Sequence, residues 1–180
     1  MLTKDLLRKS VKERLSALSA EDRAQRDQRI ATRFLSTEEY SAAKSIFLYN
    51  STAREAGTQI ITERALADGK AVYFPRVEGE NMVLVPYRAG EPLSVGAFGI
   101  REPPGEAVQI TPDLAVIPLV AFDRTKARLG KGKGYYDRFL ASYGGTSIAL
   151  AYAEQETEKV PTESFDAAPQ IVVTDKEIIR

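Results

Sequence analysis

Residues 45–74 read SIFLYNSTAREAGTQIITERALADGKAVYF, and their pattern decides the fold class. Ser45-Ile-Phe-Leu-Tyr49 is a short apolar run of strand-favouring side chains that ends in polar Asn50-Ser51-Thr52. A run of this kind bounded by turn formers marks a buried strand. From Glu55 to Asp68 the apolar residues Ile60, Ile61, Ala65 and Leu66 fall on one helical face, and Gly69 supplies the stop. Ala71-Val-Tyr-Phe74 starts a second strand, closed by Pro75. Strand, helix and strand with short joins make a right-handed crossover between parallel strands.

The same pattern extends in both directions. Residues 3–18 place Leu7, Val11, Leu15 and Leu18 at helical spacing among Lys and Arg. Ser19-Ala-Glu-Asp22 has the form of a capping box and opens a second helix carrying Ile30, Phe34 and Leu35. Further strands are expected at Met82–Val85, Leu114–Ile117, Ser147–Ala151 and Gln170–Val173. A helix is expected from Tyr135 to Tyr143, stopped by Gly144-Gly145. Residues 90–113, rich in Gly and Pro, read as a long surface connection. The order predicts one domain over 1–180, a three-layer α/β/α fold with a mostly parallel, Rossmann-like sheet. Ligands of such sheets sit where strand C-termini meet helix N-termini. Asn50 to Glu55, Val120 to Asp137 and the chain from Tyr152 onward fall there.

Composition removes several chemistries. Lys+Arg and Asp+Glu both number 25, so the formal charge is zero, which argues against a surface built wholly for nucleic acid or an anionic membrane. With no Cys and no His, there is no disulfide, no thiolate or Ser-His nucleophile, no imidazole base and no His-ligated zinc. Any metal must be a hard cation on oxygen ligands. The N-terminus lacks a continuous apolar stretch of the signal-peptide kind, and a cytoplasmic, monomeric protein is expected.

Against this neutral background, the connection from Pro118 to the helix at Tyr135 is unusual. Within or beside it stand Arg124, Lys126, Arg128, Lys131, Lys133 and Arg138, with glycines at 130, 132 and 134. Glycines permit positive φ and close backbone approach, so successive N–H groups can form an anion nest ahead of a helix N-terminus. Asp137 then places a carboxylate beside the cations, as a phosphate-bound Mg²⁺ requires. The spacing matches neither GxxxxGK[ST] nor a dinucleotide fingerprint.

Phe122-Asp123 followed by Arg128-Leu-Gly-Lys-Gly-Lys-Gly-Tyr-Tyr-Asp137 resembles the signature of the 5-formyltetrahydrofolate cyclo-ligase family. The resemblance extends to Lys4-Asp-Leu-Leu-Arg8, Tyr49-Asn-Ser-Thr-Ala-Arg-Glu55 with Thr58, Phe98-Gly-Ile-Arg-Glu102-Pro103, and Tyr152-x-x-Gln155 with Pro161 and Asp166. It implies a fold of the NagB/RpiA/CoA-transferase kind, with ATP and Mg²⁺ serving the cyclisation of a formyl-folate. By this resemblance Lys4, Asp5, Leu6, Leu7 and Arg8 contribute to the ATP site. Arg128, Leu129, Gly130, Lys131, Gly132, Lys133, Gly134, Tyr135 and Tyr136 wrap the nucleotide. Asn50, Glu55 and Lys131 to Tyr135 border the folate, and Asp137 and Asp166 are the magnesium ligands. Arg128, Lys131 and Lys133 are the residues expected to neutralise charge in phosphoryl transfer. The sequence departs from the family at Lys126, where glycine is frequent, and at Ser164-Phe165. Two other classes are consistent with the loop alone: a non-catalytic MgATP or phosphate sensor, and an RNA-binding module.

Overall fold

The computed structural model describes residues 3–180. Helix α1 (Lys4–Ser16) starts where the Thr3 hydroxyl accepts from the Leu6 N–H. The capping box at Ser19 opens α2 (Ala20–Leu35) as expected, with the Ser19 and Asp22 side chains each bonded to the other's backbone N–H. A short α3 (Glu38–Ala42), not foreseen, is capped by Thr37. Next come β1 (Ser45–Leu48), α4 (Gln59–Ala67), β2 (Ala71–Glu78) and β3 (Asn81–Tyr87). After them lie β4 (Ser94–Val95), β5 (Arg101–Glu102), β6 (Leu114–Ile117), β7 (Ala121–Phe122) and β8 (Arg128–Leu129). The chain finishes with α5 (Tyr135–Ser142), β9 (Thr146–Ala151), β10 (Ile171–Thr174) and β11 (Ile178–Ile179).

One sheet runs in the order β11-β10-β9-β6-β1-β2-β3. The strands from β10 to β2 pair in parallel, while β3 and β11 close the two edges antiparallel. Helices α1, α2 and α4 cover one face through Leu7, Val11, Ile30, Phe34 and Ile61. On the other face α5 packs Phe139, Leu140 and Tyr143 over Phe47, Ile117 and Ala149. This is the expected three-layer arrangement, with the helices unequally divided.

Several expected boundaries move, each for a local reason. Helix α4 begins at Gln59 and not at Glu55, because the Glu55 carboxylate turns back to accept from the Thr52 N–H at 2.8 Å. Strand β2 passes through Pro75 to Glu78. Its pairing with β1 ends at Tyr73, so the missing N–H of Pro75 interrupts only an outer stretch that pairs with β3. Connection 90–113 contains the β4–β5 hairpin and a turn at Ala97–Gly99. The long 118–134 connection also folds: β7 and β8 pair around a turn whose Asp123 carboxylate accepts from the Thr125 and Ala127 N–H groups. Lys126 sits in that turn at φ 67°, a left-handed conformation that favours glycine.

Candidate functional site

Strands β1, β6 and β9 lie side by side, so the segments leaving their C-terminal ends meet at one edge of the sheet. A cavity of about 480 Å³ opens there. Its walls include Tyr49, Asn50 and Glu55 after β1, Pro118 and Leu119 after β6, and the continuous run Arg128–Asp137. Lys4 and Arg8 from α1 and Glu163, Phe165 and Asp166 from the C-terminal loop complete one side. Phe98 and Ile100 reach it from the 90–113 connection.

The glycine run is an open turn feeding α5. Gly132 and Gly134 take φ of 96° and 74°, and Gly134 occupies the helix N-cap without a side-chain cap. The first N–H groups of α5 therefore have no capping side chain, and the helix dipole adds positive potential at the same end. Gly130 differs from expectation. Its φ is not positive; a Cβ there would meet the Arg128 guanidinium at 3.3 Å. Arg8 braces this turn from α1, its Nε donating to the Gly130 carbonyl at 3.0 Å.

Arg128, Lys131 and Lys4 at the cavity are each matched to carboxylates. Arg128, buried at 5% exposure, donates from Nη2 to Asp137 Oδ1 at 2.7 Å. Lys131 Nζ lies 2.6 Å from Glu55 Oε1. Lys4 Nζ donates to Asp166 Oδ2 at 2.6 Å and to Glu163 Oε2 at 2.8 Å. Burial on its own would raise the Asp166 carboxyl, but the Lys4 bond and the Glu163 N–H hold it below the usual range. Burial of Lys4 acts the other way on the ammonium, and its two carboxylate partners outweigh it, raising the pKa. Tyr49 is buried beside Glu55, and burial first, then that charge, pushes its phenol well up.

The six cations of the sequence motif do not form one patch. Arg128, Lys131 and Lys133 line the cavity; Arg124, Lys126 and Arg138 do not. Arg124 reaches outward to Glu156 and Glu177, while Arg138 donates to the Glu80 carbonyl. Three predicted nucleotide residues of α1 also lie off the cavity walls. Leu7 is buried in the core, Leu6 is exposed, and Asp5 pairs with Arg8 at the surface. Lys4 and Arg8 are the two of that segment that reach the site.

Sequence reasoning missed the aromatic rim. Phe98 and Phe165 are 60% and 66% exposed, with Lys133 Nζ 5.2 Å from the first ring's centroid and Lys4 Nζ 5.6 Å from the second. Phe98 takes φ 57° and lies 6.1 Å from the Tyr135 ring. An exposed aromatic in a strained conformation is invisible to periodicity, although Phe98 belongs to the Phe98-Gly-Ile-Arg-Glu102 stretch of the family motif.

The donor set is all oxygen and fits a hard cation such as Mg²⁺. The Ala167 N–H bonds Asp137 Oδ1 at 3.1 Å, which ties the Asp166 loop to the start of α5. Asp137 Oδ2 and Asp166 Oδ1 make no hydrogen bond among the described residues. No group of three or more potential ligand side chains gathers among those residues. Two carboxylates, with phosphate and water making up the shell, are how Mg²⁺ is commonly bound, whereas zinc takes three or four protein ligands, mostly Cys and His, which this chain lacks.

Comparison with known proteins bears on the family and the fold. The chain matches the model of the 5-formyltetrahydrofolate cyclo-ligase family over residues 1–175. It is 31% identical over 170 residues to the 5-formyltetrahydrofolate cyclo-ligase of Haemophilus influenzae, covering 89% of this chain and 91% of that protein. With the Escherichia coli K12 protein of the same name it shares 30% over 178 residues, covering 93% and 98%. The NMR structure of Aquifex aeolicus 5,10-methenyltetrahydrofolate synthetase superposes with a TM-score of 0.89 at 35% identity, over 100% of this chain and 93% of that one. A Mycoplasma pneumoniae 5,10-methenyltetrahydrofolate synthetase shares the fold, with a TM-score of 0.77 at 24% identity, over 96% of this chain and 98% of that one.

Proposed function

This chain belongs to the 5-formyltetrahydrofolate cyclo-ligase family, and from that premise we propose that it closes 5-formyltetrahydrofolate to 5,10-methenyltetrahydrofolate while converting ATP to ADP and phosphate. The observation that carries the reading is the convergence of Lys4, Arg8, Arg128, Lys131 and Lys133 on one cavity at the C-terminal edge of a parallel sheet. A polyphosphate meets charge and backbone N–H groups there, and the Phe98 side offers aromatic surface to a flat ring.

An N-formyl oxygen is a poor leaving group. In the proposed reaction it attacks the γ-phosphorus, and the bond to the β,γ-bridging oxygen breaks with its electrons on ADP. N10 then adds to the formyl carbon, the C–O bond breaks with its electrons on phosphate, and the N10 proton is lost. Such transfers are catalysed by positioning and charge stabilisation, which needs neither His nor Cys. In this scheme Arg128, Lys131 and Lys133 neutralise charge on the transferred group, and the N–H groups of Gly130 to Gly134 hold the β-phosphate. Phosphate oxygens replace Glu55 as the partner of Lys131. Asn50 and Glu55 hold the folate, and Asp137 and Asp166 would hold Mg²⁺. When bound, Mg²⁺ supplies further charge neutralisation across the phosphates.

Within this reading the protein works in the cytoplasm as a monomer on small-molecule substrates; a single species near 19.8 kDa in sedimentation tests the oligomeric part. Among the described residues no helix is long and apolar enough to cross a membrane. Purified protein with MgATP and 5-formyltetrahydrofolate should produce the near-UV absorbance of the methenyl product, and omission of ATP should abolish it. ATP binding without that product would leave a nucleotide sensor and overturn the enzyme.

A further inference from the structure

The segment that carries Glu55 is held from behind by Asp27 and Tyr152, neither of which lines the cavity. Asp27, on α2, accepts from the Gly57 N–H at 2.8 Å and from the Tyr152 hydroxyl at 2.7 Å, both through Oδ1. The Tyr152 oxygen also lies 3.3 Å from the Glu55 carbonyl. Its single proton goes to the carboxylate, the shorter and charge-assisted partner. The carboxylate fits only because residue 57 is glycine: a Cβ there would stand 2.5 Å from Asp27 Oδ2. Between these points the Tyr49 hydroxyl donates to the Ala56 carbonyl at 2.6 Å. Two consecutive backbone units, Ala56 and Gly57, are thus held directly by Tyr49 and Asp27, and the Tyr152 hydroxyl orients the Asp27 carboxylate from behind. In front of them Glu55 spends Oε2 on the Thr52 N–H and presents Oε1 to Lys131. Burial, then the Asp27 bond, pushes the Tyr152 phenol well up, so it stays a donor throughout the neutral range.

We propose that Asp27 and Tyr152 are positioning residues for the reaction, fixing the Glu55–Gly57 backbone and through it the Glu55 carboxylate that receives the folate. The inference rests on the reading that Glu55 contacts the folate. It gives a reason for two features no cavity contact explains: a carboxylate facing the body of the protein from α2, and a glycine at 57.

The test is a double-mutant cycle. Asp27→Ala and Tyr152→Phe are made in the native chain and in a Glu55→Gln background, with steady-state kinetics in 5-formyltetrahydrofolate and MgATP affinity by calorimetry. In the native background each should lower kcat/KM for the folate roughly 10-fold. In the Glu55→Gln background each should lower it by less than about two-fold, because residues acting through one group do not add. The MgATP Kd should move by less than about two-fold in all of them. Asp27→Asn, whose amide oxygen still accepts from Gly57, should recover most of the activity. Tyr152→Phe removes one hydroxyl without changing shape and serves if Asp27→Ala fails to fold. Equal losses in both backgrounds, or a matching loss of MgATP affinity, would overturn the positioning role while leaving the folate role of Glu55 intact. A Glu55→Gln variant with native kcat/KM would sink the folate role itself, and this inference with it.

Discussion

The connection between β6 and α5, with the first turn of that helix, holds two sets of three cations whose situations are opposite. Arg128, Lys131 and Lys133 face a cavity and are matched there to carboxylates or an aromatic ring. Arg124, Lys126 and Arg138 stand off that cavity, tied to surface acids, to a backbone carbonyl, or placed in a turn. Sequence gives both sets the same residue types within fifteen positions of one another. The β7–β8 hairpin holds Arg124 and Lys126 outside and delivers the next stretch to the sheet edge, while the Glu80 carbonyl draws Arg138 off from α5. Charge count does not make an anion site; the backbone that aims the charge does.

The largest expected effect tests that contrast directly. Lys131→Ala should cut kcat by on the order of 10²-fold, the usual cost of removing one preorganised charge contact, while Arg124→Ala stays within about two-fold. Steady-state turnover of both variants reads the difference, and comparable losses would erase the distinction between the two sets.

Arg128 sharpens the comparison because it is the one inner cation that is buried. Arg128→Ala leaves Asp137 with the Ala167 N–H but no cation and should destabilise the fold by about 3 kcal/mol, besides abolishing turnover. Thermal melts against Lys131→Ala, whose ammonium is half-exposed, distinguish a cation that also supports the fold from one that serves only the ligand. Similar melting temperatures would contradict the assignment.

The Lys4–Asp166 bridge ties α1 to the C-terminal loop and predicts a pH window. Asp166 is depressed in the folded state, so its contribution is present above its unfolded value of about 3.9 and is lost as pH falls through the lower folded value. Lys4 is raised, so its contribution is complete below about 10.4 and is lost only as pH rises past the higher folded value. Lys4→Met should therefore cost about 1 kcal/mol between these limits, and nothing once Asp166 is protonated. Melting curves from pH 2 to 8 (a range of roughly the width that linkage requires) read the convergence of the two proteins in acid. A gap that persists at the lowest pH would mean that Lys4 stabilises the chain without Asp166.

The smallest effect belongs to the outer set. Lys126→Gly relieves a left-handed residue in the hairpin turn and should stabilise the protein by about 0.5 kcal/mol, or roughly 1–2 °C in Tm, with turnover unchanged. A loss of activity in this variant would place the turn in the site after all.

The parallel core was legible because its strands are short apolar runs ended by polar or proline residues, and because α2 announces itself with a complete capping box. At the edges the strand at Met82–Val85 was legible but its antiparallel pairing was not, since nothing in its side chains encodes direction, and the two-residue β11 was not foreseen. Glu55 reads as a first-turn helix acid until its carboxylate is seen to fold back on Thr52, a choice made by tertiary contacts around Gly57. The spacing of the glycine run alone reads as a solvated basic loop, and only Tyr135-Tyr136-Asp137 beside it turns the reading toward a phosphate cradle. Lys4 and Arg8, a solvated helix face by the same reasoning, reach the cavity only because α1 packs against the sheet through Leu7, Val11 and Leu15. Phe98 and Phe165 come from stretches with no periodicity to read.

Calorimetric titration of MgATP into the native chain, Lys131→Ala and Arg124→Ala is the most direct trial of the cradle. One site per chain, weakened roughly 10-fold or more by Lys131→Ala and untouched by Arg124→Ala, is the expected result. Folded native protein that takes up no nucleotide, or an equal loss in both variants, would contradict it.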